Sequence, residues 1–229
     1  MKSLYAAAVT IAMLCGCAPH YSDDAFVASV RKIEPSVVLL TMDVPGDTKQ
    51  SAVDEAYASG TVVASGAWGS DILTVEHAIE GAWNLHVTIA NKERVPARIV
   101  AKDAGLDVAI VRTKRPNLPV VRLGDSKDAQ PGRQVGLLGY PIPDQFDQEG
   151  LGLATSVDAG RISSLRKNAI EVTLPIVPGE SGSPIFLSDT GEIVGMAESR
   201  FDEEHSIGFA LPIDDVRRFL HRWDAGHGL

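Results

Sequence analysis

The chain has 229 residues, 45% of them hydrophobic, so it can bury a full core and is long enough for one compact catalytic unit. Its formal net charge is −9, and no basic cluster interrupts that acidity, which argues against a nucleic-acid partner. The acidity leaves the substrate unspecified.

In chain order, Lys2 precedes the apolar run from Leu4 to Leu14. This has the charge and length of a secretory signal and is too short to span a bilayer as a mature helix. From Tyr21 to Ile33, the residues Phe26, Val27, Val30 and Ile33 recur at helical spacing after Ser22-Asp23-Asp24, which predicts a short leading helix with a favourable start. β-rich runs then follow at Ser36–Met42, Gly60–Ser65, Asp71–Val75, Leu85–Ala90, Val95–Ala101 and Val108–Arg112, separated by Gly, Pro, Asp and Asn. They predict a first barrel. The polar, glycine-containing stretch Asp43–Ser59 is expected to be a mobile surface loop.

Arg115–Gly132 bridges to a second β-rich series. Its runs are Gln134–Leu138, Ala154–Asp158, Gly160–Leu165, Ala169–Leu174, Pro184–Leu187, Ile193–Glu198 and Ile207–Leu211. They predict a second barrel, with any active site in the cleft between the two. At the end, Val216, Phe219, Leu220 and Trp223 repeat as i, i+3, i+4 and i+7, with Asp214 and Asp215 early and Arg217, Arg218 and Arg222 late. That pattern suits a dipole-matched terminal helix packed back on the barrels.

The segment Val177-Pro178-Gly179-Glu180-Ser181-Gly182-Ser183-Pro184 sets a serine between two glycines. A serine hydroxyl is a poor nucleophile at neutral pH and needs an imidazole base held by a carboxylate. Glycines beside it leave room for backbone N–H groups to meet the negative charge that develops on an attacked carbonyl. We assign that oxyanion role to the amides of Gly179 and Ser181. An ordinary surface turn rich in Gly, Pro and Ser would look the same in isolation. His77 follows the β-prone run Asp71–Glu76, at the end of a predicted strand, and is the base candidate; His20, His86, His205, His221 and His227 have no comparable setting. Asp107 stands at the mouth of Val108–Val111, where it serves either as the carboxylate that orients the base or as a turn-forming Asp beside Gly105.

Together, the order His77, Asp107, Ser181 and its spacing resemble the trypsin-like serine peptidases of chymotrypsin fold, most closely the bacterial HtrA (Deg) branch. The resemblance extends over Pro35-Ser36-Val37-Val38, Ser59-Gly60-Thr61-Val62-Val63, Leu123-Gly124-Asp125-Ser126, Gly139-Tyr140-Pro141, Gly191–Gly195 and Ile207–Pro212. It implies an all-β fold of two six-stranded antiparallel barrels with short terminal helices. The expected divisions are a peptidase domain over 25–229, a first barrel over about 34–118, a second over about 130–212 and a helix over about 213–223. It also implies polypeptide substrates, with misfolded or unfolded envelope proteins as the family-level expectation, and a primary pocket bordered by Ile176, Glu198, Ser199 and Arg200. No metal or organic cofactor is called for.

The sequence departs from the family pattern at Glu180, where Asn or Asp is usual, and at Ser183, where a second glycine is frequent. The sequence after Pro212 is too short for the PDZ module that follows many HtrA peptidases. Relatives of this branch often form trimers through amino-terminal residues, and Tyr21 or Phe26 could serve here. Leu14-Cys15-Gly16-Cys17 resembles the lipobox of bacterial lipoproteins. It implies a signal over 1–16, a diacylglyceryl Cys17, a tether over 17–24 and, with Ala18 next, sorting to the outer membrane facing the periplasm. Loss of Cys15 with the signal would leave no disulfide pair. A plain signal peptide releasing a soluble protein is the alternative.

Two further readings stand beside the peptidase. One is a membrane-tethered binding protein on the same fold, its oxyanion turn spoiled around Glu180. The other is an esterase, which would need a Gly-x-Ser-x-Gly elbow and the chain order Ser, Asp, His; Gly179-Glu180-Ser181-Gly182-Ser183 and the observed order do not supply it.

Overall fold

A computed structural model describes residues 23–46, 52–198 and 207–227. Helix α1 (Asp23–Ile33) leads through a 3₁₀ turn at Glu34–Ser36 into β1 (Val37–Pro45), β2 (Val53–Gly66), β3 (Gly69–Thr74), β4 (Trp83–Ile89), β5 (Glu93–Asp103) and β6 (Val108–Thr113). These six close as an antiparallel barrel in the order β1-β2-β3-β6-β5-β4. The second barrel holds β7 (Gln134–Gly139), β8 (Ser156–Leu165), β9 (Ile170–Val172), β10 (Pro184–Leu187), β11 (Ile193–Glu198) and β12 (Gly208–Pro212) in the order β10-β11-β12-β9-β8-β7. Helix α3 (Ile213–His227) is the last described element, and a short helix α2 (Pro143–Gln148) lies between β7 and β8. The double-barrel architecture is the one that the family resemblance implies.

Hydrophobic patterning explains why the barrels face each other where they do. A strand with one solvated face alternates apolar and polar residues, whereas a strand buried on both faces is continuously apolar. Strand β1 opens with Val37-Val38-Leu39-Leu40 because it is of the second kind. Val38 and Leu40 fill the first barrel with Ile72, Val87 and Val111. Val37 and Leu39 point the other way, into a cluster shared with Leu138, Tyr140, Phe186 and Ile193 of the second barrel. Strand β6 divides likewise, Ala109 and Val111 inward and Val108 and Ile110 toward the partner barrel. Each such side chain contributes about 1.5–3 kcal/mol on full burial. The second barrel has its own interior of Val135, Leu137, Ile162, Ile170, Ile185 and Val194.

Both helices pack on this double unit. Phe26 of α1 stacks on Phe186 with ring centroids 5.7 Å apart. On α3, Val216 and Phe219 are buried, with Leu220 and Trp223 packed beside them.

Three expectations about local structure are corrected. The stretch Asp43–Ser59 is not one loop, because Asp43–Pro45 extends β1 and Val53–Ser59 begins β2, in register from Leu39↔Ser59 to Pro45↔Val53. Its polar composition misled because this hairpin extends beyond the buried core, where pairing by backbone bonds needs no apolar alternation. The separate runs around 154–158 and 160–165 form the single strand β8, Gly160 lying within it opposite Val135. Helix α2 was not anticipated: Ile142 at its start takes a left-handed φ of 35°, a conformation that a β-branched residue does not advertise.

Candidate active site

His77 opens a 3₁₀ turn (His77–Ile79) three residues beyond the end of β3. Asp107 ends the turn between β5 and β6, with a left-handed φ of 54°, which Asp tolerates better than most residues. That turn is built by Asp103, whose Oδ1 accepts from Gly105 N (3.1 Å) and Leu106 N (3.2 Å). Arg222 of α3 holds the other oxygen of Asp103 at 3.0 Å.

The two turns meet through a double contact. His77 backbone N donates to Asp107 Oδ1 at 2.8 Å, and His77 Nδ1 lies 2.7 Å from Asp107 Oδ2. Burial of Asp107 acts to raise its pKa, but the hydrogen bonds from His77 and the nearby imidazole outweigh burial and hold the carboxyl below its usual range. A carboxylate can only accept, so Nδ1 carries the proton and Nε2 of the neutral ring presents a lone pair. The hydrogen bond to Asp107 also raises the His77 pKa above its ordinary value, opposed by burial and assisted by the charges of Asp107, Glu198 and Glu76. Side-chain exposure is 45% for His77 and 20% for Asp107. The ring is therefore open to the cleft while its anchor is largely covered.

Ser181 stands in the turn before β10 of the second barrel, and that turn rests on the first barrel. Ser59 N of β2 donates to Ser181 O at 2.9 Å. Gly182 takes φ +89°, and a Cβ there would lie 2.2 Å from Ser59 O and 2.5 Å from Thr74 Oγ1. Thr74 ends β3 three residues before His77, so the turn carrying Ser181 and the turn carrying His77 share one support. Among the described residues, no hydrogen bond joins Ser181 Oγ to His77. Bonds of this kind commonly tighten only when a substrate is bound.

The backbone donors around Ser181 divide into spent and unspent. Glu180 N donates to Val177 O (3.0 Å), Gly182 N to Ala197 O (2.9 Å) and Ser183 N to Glu180 O (2.9 Å). Val177 N donates to Glu180 Oε2 at 3.0 Å. Among the described residues, the N–H groups of Gly179 and Ser181 have no acceptor, the pattern needed to receive an oxyanion. Gly179 takes φ +94°, and a Cβ there would strike Tyr140 O at 2.3 Å. Glu180, the departure from the family pattern, sits buried beneath this turn; burial pushes its carboxyl up to about 7, with the Asp158 charge adding to the rise.

The predicted pocket residues are divided. Ile176 is half-buried against the second-barrel interior, and its side chain covers Gly208. Ser199, Arg200 and the lipidation candidate Cys17 lie outside the described residues. Glu198, at the end of β11, shares a cavity with Asp107, Asn168, Asp215 and Arg218. Sequence reasoning missed its electrostatic effect on His77, because a residue's position near a strand end does not tell which charge it faces. It also left Ser59 without a role; the only sequence signal was a small polar residue beside Gly60 at the start of the β-rich run Gly60–Ser65.

The trypsin-like peptidase domain family matches residues 58–196. A protein of Halomonas elongata named "Probable periplasmic serine endoprotease DegP-like" is 30% identical over 181 residues, covering 74% of this chain and 35% of its own length. The serine protease Do-like HtrB of Bacillus subtilis is 30% identical over 167 residues, 69% of this chain and 36% of the relative. The chain thus spans little more than a third of these relatives. The solved structure of the HtrA-type protease AlgW with tripeptide superposes with a TM-score of 0.72 at 23% identity, over 89% of this chain and 64% of that one, a likeness of fold. With the family match running from β2 through the turn carrying Ser181 into β11, the chain belongs to the trypsin-like peptidase domain family.

Proposed function

We propose that this chain is a serine endopeptidase of HtrA type working through His77, Asp107 and Ser181. Ser181 Oγ attacks a peptide carbonyl carbon, forming the C–O bond as its proton passes to His77 Nε2. The carbonyl oxygen takes the negative charge and receives hydrogen bonds from the N–H groups of Gly179 and Ser181. Collapse breaks the C–N bond, the leaving amine takes the proton from His77, and water then releases the acyl group by the same steps in reverse order. Asp107 keeps the His77 proton on Nδ1 and stabilises the imidazolium. The observations that support this reading are the 2.7 Å His77–Asp107 bond and a turn with two unspent donors that is tied through Ser59 to Thr74, three residues before His77.

Unfolded or misfolded proteins of a bacterial envelope are the proposed substrates, with a primary pocket bordered by Ile176, as an apolar wall, and by the stretch Glu198-Ser199-Arg200. A diacylglyceryl group on Cys17 would tether the domain to the outer membrane, facing the periplasm. Trimers through amino-terminal residues belong to the same proposal. The decisive test is labelling by an alkyl fluorophosphonate: the wild type should label at Ser181, with the signal abolished in Ser181→Ala and nearly so in His77→Ala. Unlabelled, folded wild-type protein would favour the binding-protein alternative. Loss of fatty-acid incorporation in Cys17→Ala tests the tether.

A further inference from the structure

Ser59, a side chain of the first barrel, makes more bonds to the catalytic turn than any triad member does. It is fully buried, at 0% exposure. Its Oγ lies 2.7 Å from Gly179 O and 3.0 Å from Tyr140 N. An amide N–H can only donate, so Ser59 Oγ is the acceptor from Tyr140, and its single proton is directed to Gly179 O. Its backbone N donates to Ser181 O at 2.9 Å, and its backbone O accepts from Thr74 Oγ1 at 2.9 Å.

Each trans peptide unit carries its C=O and the following N–H in opposite directions, so fixing the oxygen fixes the N–H. The unit 179–180 is held by Ser59 Oγ at its oxygen and by Val177 O at its N–H. The unit 181–182 is held by Ser59 N at its oxygen and by Ala197 O at its N–H. Between them lies the unit 180–181, which carries the unspent Ser181 N–H. The unit before them, 178–179, carries the unspent Gly179 N–H and is held at Pro178 O by Ile142 N at 2.8 Å. Ser59 therefore clamps the peptides on both sides of one oxyanion donor, and one clamped peptide borders the other donor as well.

We propose that Ser59 is the positioning residue of the oxyanion turn, aiming the N–H groups of Gly179 and Ser181 from the opposite barrel. This rests on the peptidase reading of the site. Through Thr74, the same residue ties that turn to the strand that delivers His77, so the donors and the base move as one body. The hydroxyl touches no substrate; it acts by denying the 179–180 peptide an alternative orientation.

The test measures inactivation of the full chain by an alkyl fluorophosphonate, separating the maximal rate constant kinact from the half-saturating concentration KI. As Ser181 Oγ bonds to phosphorus and fluoride leaves, charge develops on the phosphoryl oxygen that takes the place of the peptide oxyanion, so misaimed donors lower kinact. For Ser59→Ala we expect kinact to fall about 10- to 100-fold, short of the loss of a whole donor, with KI within about twofold and the acidic midpoint of the pH profile unmoved. Ser59→Cys keeps the shape but substitutes a weak donor, and a fall of several-fold is expected. A merely destabilised fold would reduce the labelled fraction and leave kinact alone. Val87→Ala in the first-barrel interior, lowering the melting temperature with kinact unchanged, is the control for that. Folded Ser59→Ala or Ser59→Cys with wild-type kinact would overturn the assignment. Failure of the wild type to label would instead overturn the peptidase reading itself.

Discussion

The two walls of the cleft are built on different principles. On the first-barrel wall, His77 and Asp107 meet through turns that belong to one barrel, framed by the Asp103 turn and the Glu76–Lys102 pair, with Arg222 of α3 added on Asp103. On the second-barrel wall, the turn carrying Ser181 uses contacts from outside its barrel: Ser59 and Thr74 from the first, and α2 through Ile142. An acid–base pair needs only one short ionic hydrogen bond to be oriented. Two convergent N–H donors need several peptide planes fixed at once, which one hairpin does not provide.

The largest effect should come from breaking either wall outright. Ser181→Ala and His77→Ala should each lower kcat by about 10⁶-fold, and the double variant should be scarcely worse, because the groups act as a unit. Peptide-substrate kinetics would show additivity if the two walls worked independently. Asp107→Asn should lower kcat about 10⁴-fold by allowing the wrong His77 tautomer, with the thermal midpoint nearly unchanged. A loss below tenfold would mean that Nδ1 is held by something else.

Away from the cleft, Asp71 is buried and bound by Arg112 through two bonds of 2.6 and 2.7 Å, while Arg112 also stacks on Trp68. Arg112→Met should cost about 3–5 kcal/mol of stability in urea unfolding by stranding the carboxylate, with kcat/KM of the folded fraction within about twofold. A large kinetic effect would show that the far side of the barrel communicates with the site.

Glu180 tests the second wall by pH. Its folded pKa of about 7 is raised above an ordinary value of 4.5, so the folded state binds its proton more tightly than the unfolded state. The favourable contribution is full below about 4.5 and lost as pH rises through about 7. The stability of Glu180→Gln relative to wild type should therefore improve between pH 5 and 8, by up to about 3 kcal/mol. A constant difference in urea titrations would contradict a buried, protonating Glu180.

The smallest effect concerns His77. Because its pKa is raised and its neutral form is the proposed base, activity should fall with acidity through a midpoint above the ordinary imidazole value of about 6.5. Removing the Glu198 charge in Glu198→Gln should move that midpoint downward and raise relative activity at pH 6 by roughly threefold. An unmoved midpoint would assign the shift to Asp107 alone.

By itself, the sequence determined the strand-rich architecture, because alternating and continuous apolar runs are local signals of one-sided and two-sided burial. It also marked His77, Asp107 and Ser181 as candidates, since histidine and aspartate beside strand ends and a serine in a glycine-flanked turn stand out in a linear reading. Only the tertiary structure decided which peptide N–H groups remain unspent, that Ser59 of β2 supports a turn 120 residues away, that Glu180 is buried beside Ser181 and that the charge of Glu198 acts on His77. The physical reason is that a hydrogen bond depends on distance and direction between two groups, and neither is encoded at either residue until the two barrels close on each other.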